Sequence, residues 1–250
     1  MRLAVDAKVR GTAATRGPWS ATRVASAGVL AAWALLFWFL QLTGRVNLYL
    51  STRTSWVVPV GATLLTLSAI GTLAASRAAR PEPLRRREAT VLALMVVPVV
   101  LVLALPPATL GTFSASHKAT FTGAGFSSIY GQITADSPIT LLSIAAAQTS
   151  TQGADALAKR GGSSLEVVGF VTRYADTPAD EFLLTRYVIT CCVADATIVQ
   201  VRVVGVVPGV AQANDWVEVK GTVFPIGRDV FVQATSVVKV ARPARPYLTP

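Results

Sequence analysis

Hydrophobic positions follow two different periods along this chain. Up to about residue 110 they come in three nearly unbroken runs, at about 24–43, 56–76 and 89–110, none with a charged side chain inside. Each run has roughly the 20 apolar residues that a helix needs to cross a bilayer. From Leu165 the apolar positions instead alternate with polar ones, which is the period of a half-buried strand. Val199, Val201 and Val203 alternate with Gln200 and Arg202, and Val217 and Val219 with Glu218 and Lys220. Five strands are expected, at about 165–174, 182–194, 196–204, 216–224 and 229–240. Turn chemistry separates several of them: Asp176-Thr177-Pro178, Val207-Pro208-Gly209, Asn214-Asp215 and Pro225-Ile226-Gly227.

The expected fold class is therefore membrane α + β. Three N-terminal transmembrane helices lead to a small five-stranded antiparallel OB-like β-barrel at 165–242. Closure is favoured because it removes exposed strand edges; a small sandwich is the alternative. The helix often found between the third and fourth strands is expected to be reduced to a loop at 205–215. Residues 1–23 form a basic tail, 111–164 a Gly-, Ser- and Thr-rich connector, and 243–250 a Pro-rich C-terminal tail. Within the connector, Ser137-Pro138 followed by an apolar stretch predicts a short helix. Pro59 and Pro98 fall inside the second and third runs, where membrane helices tolerate a kink. The pairs Gly28/Ala32 and Gly71/Ala75 would let helices pack closely.

Charge is distributed unevenly. Residues 1–112 carry 12 Lys and Arg against 3 Asp and Glu, whereas residues 113–250 carry 11 against 10. The basic excess thus belongs to the membrane half. Five basic residues lie in the tail, two in the first link (Arg45 and Arg53) and five in the second (Arg77, Arg80, Arg85, Arg86 and Arg87). The positive-inside rule then puts the N-terminus in the cytoplasm, and three spans put the C-terminal domain outside it. A cleaved signal peptide would also begin basic. However, Gln41-Leu42-Thr43-Gly44-Arg45 is no small-x-small cleavage site, and a second span follows at once. The near-neutral C-terminal half gives no footing for nucleic acid. The spans imply a multi-pass membrane protein with the bilayer as partner.

The candidate chemistry centres on Arg186-Tyr-Val-Ile-Thr-Cys-Cys-Val-Ala-Asp195, which holds both cysteines of the chain. In a regular strand, neighbours face opposite sides. Cys191 would then share the core face with Tyr187, Ile189 and Val193, and Cys192 a more polar face with Arg186, Val188 and Thr190. A bulge at this point would let both thiols face one ligand. Thiolates favour soft ions, and Asp195 would add an oxygen, so a metal set of Cys191, Cys192 and Asp195 is one expectation. A soft metal ion is the one cofactor admitted. Asp195 is otherwise expected to make a local turn hydrogen bond. Arg186, Thr190 and Trp216 complete the candidate ligand- or partner-binding set. Arg186 is read as an anion holder or ion-pair partner, Trp216 as a packing aromatic at a barrel end. No enzyme is expected. There is no Gly-x-Ser-x-Gly, no phosphate-cradling glycine loop and no His-based acid/base pair, the single His117 lying in the connector.

Several stretches together resemble one uncharacterised bacterial membrane family, whose members are named two-component membrane permease complex subunits. They are Gly169-Phe170-Val171, the Cys191-Cys192-Val193-Ala194-Asp195-Ala196 core with its preceding strand, Trp216–Thr222 and Pro246-Tyr247-Leu248. In the membrane half they are Asn47–Arg53 and Pro106–Gly111. The resemblance runs from about 24 to 250, with nothing carried over to 112–164. It implies a companion polytopic permease and an accessory role for this chain. The β domain would then gate, sense or capture ligand. A thiol-based metal or redox sensor and an OB-type ligand-binding module are the alternatives.

Overall fold

A computed structural model of the chain describes residues 19–77, 83–105, 110–117 and 137–249. Residues 1–18 of the expected basic tail and residues 118–136 of the expected connector lie outside them. The chain divides into two compact units. One comprises residues up to Phe39 with Pro59–Pro106, the other Leu40–Val58 with Pro107–Pro250.

The first unit is built from three helices, α1 (Ala21–Leu42), α2 (Val57–Ala74) and α3 (Arg86–Ala104). All three are long and apolar enough to cross a membrane. Large apolar side chains such as Leu35, Leu64 and Leu94 are 60–70% exposed, a condition that suits lipid rather than water. Helix α3 starts at Arg86, before the expected 89. The Glu88 carboxylate accepts the Arg85 N–H at 3.2 Å and so caps the first turn. Pro59 lies in the first turn of α2, where no intrahelical N–H bond is lost, whereas Pro98 lies inside α3. Indole N–H groups tie the helices together: Trp38 donates to Thr66 Oγ1 at 3.2 Å and Trp33 to the Met95 carbonyl at 3.0 Å. Arg23 donates to the Ala75 carbonyl at 2.7 Å, which joins the start of α1 to the end of α2.

The second unit contains the β-barrel. Its strands are β1 (Ser164–Thr172), β2 (Glu181–Val188), β3 (Thr197–Val204), β4 (Trp216–Ile226) and β5 (Asp229–Lys239). They pair in the circuit β1–β2–β3–β5–β4–β1 and close on themselves. The barrel is mixed, not all antiparallel as expected: β3 and β5 run parallel, with Arg202 opposite Phe231 and Val204 opposite Gln233. The reason is one of parity. Strand directions cannot alternate all the way round a ring of five, so at least one neighbouring pair must be parallel. The two-residue strand β6 (Tyr247–Leu248) adds in parallel to the end of β2.

The alternating valines face inward as expected. Val199, Val201, Val203, Val217, Val219 and Val223 are all at most 1% exposed and pack with Phe182, Leu184 and Val232. Strand β1 serves two neighbours, β4 along most of its length and β2 at its end. Gly169 lies at that crossing, where a Cβ would meet the Thr185 carbonyl at 2.8 Å, so only glycine lets the strands approach. The 205–215 connection carries no helix. Instead α5 (Leu141–Thr149) and α6 (Thr151–Ala158) pack on the barrel, α5 on β3 and β5, α6 on β4. Ahead of them in the chain lies α4, a single turn at Thr112–Ala115. Thr140 and Ser150 cap them, accepting the N–H groups of Ser143 at 3.2 Å and Gly153 at 2.9 Å. Ile144 and Leu157 bury their side chains in the same core.

Candidate functional site

Strand β2 ends at Val188, six residues short of the expected 194. Tyr187, Val188 and Ile189 are all buried, and past them a carboxylate takes over the backbone. Asp195 Oδ1 accepts the Thr190 N–H at 3.0 Å. Its Oδ2 accepts those of Cys191 at 2.7 Å and Cys192 at 3.4 Å. A short 3-10 turn at Val193–Asp195 brings the carboxylate round to meet them. Asp195 thus makes the expected local turn bonds, but within a turn organised around it.

The placement of the cysteines corrects the strand reading. Cys191 is exposed rather than core, Cys192 is half-buried, and both are free thiols. Their sulfurs do not face opposite sides. They lie 3.7 Å apart, and both sit within 4.8 Å of the Asp195 carboxylate. The Cys191 thiol is pushed up to about 11, chiefly by its hydrogen bond to Asp195 and then by the one to Cys192. Burial works to raise the Asp195 pKa. Hydrogen bonds from the Cys191 thiol and from the three backbone N–H groups outweigh it and hold the carboxyl below its ordinary value.

A second segment closes over this turn: the link between α1 and α2. A 3-10 turn at Arg45–Leu48 buries Val46 and Leu48, and the chain then runs past the cysteines. Ser51, 1% exposed, donates its hydroxyl to the Thr190 carbonyl at 2.8 Å and its N–H to the Cys191 carbonyl at 3.1 Å. Thr54 Oγ1 donates to that same Cys191 carbonyl at 2.6 Å. In the other direction, the Val193 N–H donates to the Tyr49 carbonyl at 2.9 Å, and Leu50 bridges to Cys192. The Cys191 carbonyl therefore carries two of the bonds that hold the link.

Two expected site residues lie apart from the cysteine turn. Arg186 donates to the backbone carbonyls of Pro246 at 3.1 Å, Val168 at 3.2 Å and Arg245 at 2.8 Å. Burial lowers its pKa, and its guanidinium lies 5.5 Å from the Trp216 ring centre. It straps the C-terminal segment to the barrel. Trp216 packs as expected at a barrel end, 5.8 Å from Phe170, beside a cluster with Tyr187 and Tyr247. Tyr187 donates its hydroxyl to the Gly111 carbonyl at 2.7 Å and so ties the chain that follows α3 to this aromatic end. His117 is bonded locally, to Ser116 and the Phe113 carbonyl.

The structure thus gathers Thr190, Cys191, Cys192 and Asp195 and leaves Arg186 and Trp216 apart from them. Tyr49, Ser51 and Thr54 were not expected at the site. Tyr49 and Ser51 fall in the stretch Asn47–Arg53 that the sequence singled out, and Thr54 lies one residue beyond it. Among proteins of known family, residues 128–249 match the model of the DUF1980 C-terminal domain. That range takes in α5, α6, every strand and the cysteine turn, and it leaves out α1–α3 and the link that covers the turn. No curated protein matches the chain.

Proposed function

We propose that the chain is an accessory subunit of a two-component membrane permease complex. Helices α1–α3 anchor it, and an extracytoplasmic OB-like β domain gates, senses or captures ligand. The observation that carries this reading is the link's attachment to the cysteine turn, both being parts of one compact unit. The link follows one span and the β domain follows three. An odd number of further crossings would put them on opposite sides of the membrane, so their contact supports three complete crossings. The arginine distribution supports the cytoplasmic side for the N-terminus, and hence the outer side for link and barrel.

The spans support the need for a partner. Their interiors, at 24–42, 57–74 and 89–104, carry no charged side chain that could line an ion path. A groove of about 510 Å³ between α1 and α2 is floored by Ala27, Gly28, Ala31 and Ala69, small residues that admit a neighbouring helix closely. Purification of the tagged full chain from its own membranes in mild detergent tests the reading. A polytopic membrane protein should co-purify in fixed ratio, and recovery of the chain alone would contradict it.

The strand circuit β1–β2–β3–β5–β4–β1, with β3 and β5 parallel, supports the OB-like description. It also favours a second reading, ligand binding by the barrel itself, because OB barrels commonly bind oligomers across their second and third strands.

A further inference from the structure

We propose that Cys191, Cys192 and Asp195 form an open three-donor site for a thiophilic d¹⁰ cation of the zinc class, and that the α1–α2 link senses its occupancy through the Cys191 carbonyl. The site stands on its own geometry and does not depend on the permease reading.

Three features support the assignment. First, a tetrahedral zinc with two bonds of about 2.3 Å to sulfur sets those sulfurs about 3.8 Å apart. The Cys191 and Cys192 sulfurs are 3.7 Å apart without any rearrangement of the turn. Secondly, the carboxylate is pre-positioned. Three backbone N–H groups fix Asp195 in place, and a carboxylate has about four lone-pair directions, so one remains for a cation. Binding would release the Cys191 thiol proton, and the ion would take its place between the sulfurs and the carboxylate. Thirdly, the donor set discriminates: two thiolates select zinc and copper(I) over magnesium or calcium, and an added carboxylate tips the choice toward zinc. With three protein donors on an exposed turn, a fourth position stays open to water or to a donor on a delivering molecule. Such an ion would be exchangeable.

The coupling follows from connectivity. The peptide group that joins the two cysteines supplies the Cys191 carbonyl, which accepts from both Ser51 N–H and Thr54 hydroxyl. An ion held by both sulfurs fixes the torsions on either side of that peptide. It therefore fixes the direction of the carbonyl on which the link is latched.

The test uses the full chain in detergent, reduced and stripped of metal, and titrated first with cobalt(II) and then with zinc(II). We expect a thiolate-to-cobalt charge-transfer band with the visible bands of a four-coordinate ion, displaced by zinc at a single ion per chain. C191S/C192S should lose both bands while keeping the circular dichroism of the parent, since neither sulfur is part of the core. Asp195→Asn should keep the charge-transfer band and shift the visible ones. Absence of the band in the parent chain, or zinc binding unchanged in C191S/C192S, would overturn the site. Zinc should also slow amide hydrogen exchange at Tyr49–Thr54. Exchange there that is unaffected by bound zinc would overturn the coupling.

Discussion

The barrel wall and the β2–β3 turn are consecutive in sequence yet held by different forces. Up to Val188, β2 is organised by burial: Phe182 and Leu184 enter the core, and β3 pairs with every residue from Glu181 to Val188. Beyond Ile189 the chain is exposed or half-buried, and a single carboxylate, Asp195, replaces the neighbouring strand as hydrogen-bond acceptor. The wall is an area effect spread over many side chains, roughly 25 cal/mol per Å² of apolar surface. The turn is a point effect that one substitution can remove. A fold can thus keep a rigid body while it confines adjustable chemistry to one exposed loop.

Three substitutions would break or sharpen this contrast. The largest effect is expected in the wall. Phe182→Ala should cost about 3–5 kcal/mol, because it removes a fully buried ring from a closed core, and a denaturant melt of the barrel should show it. In the turn, Asp195→Ala should cost about 1–2 kcal/mol, the scale of a lost cap that satisfied several N–H groups. Hydrogen exchange should accelerate at Thr190, Cys191 and Cys192 and stay unchanged in β3. The smallest effect is expected for Cys191→Ala, within about 0.5 kcal/mol, as for an exposed side chain. A loss of stability on the scale of a core residue would instead restore the strand reading of Cys191.

Much of the architecture was legible in the sequence, for reasons that also mark the limits. Apolar runs reveal helices that face lipid, and alternating valines reveal strands with one buried face, because each pattern reflects a local period. Direction is not a local property, so the parallel β3–β5 pair had to come from the parity of a closed ring. The end of β2 was misread because the alternation of Tyr187, Ile189 and Val193 continues on paper after Asp195 has captured the backbone. Arg186 was legible as a cation but not as a strap, since its acceptors, the carbonyls of Arg245 and Pro246, lie some 60 residues on. The link over the cysteine turn is the longest-range case. Ser51 and Thr190 are 139 residues apart, and nothing in either stretch alone pairs them.

The central claim is that the α1–α2 link and the β domain share one face of the membrane, outside the cytoplasm. Labelling with a membrane-impermeant maleimide in intact cells tests it most directly, using a chain freed of native thiols by C191S/C192S. Thr52→Cys would report the exposed link, and Val207→Cys, at a position 73% exposed, would report the barrel. Both sites should label before the membrane is permeabilised. Labelling of only one of them, or of either only after permeabilisation, would contradict the account.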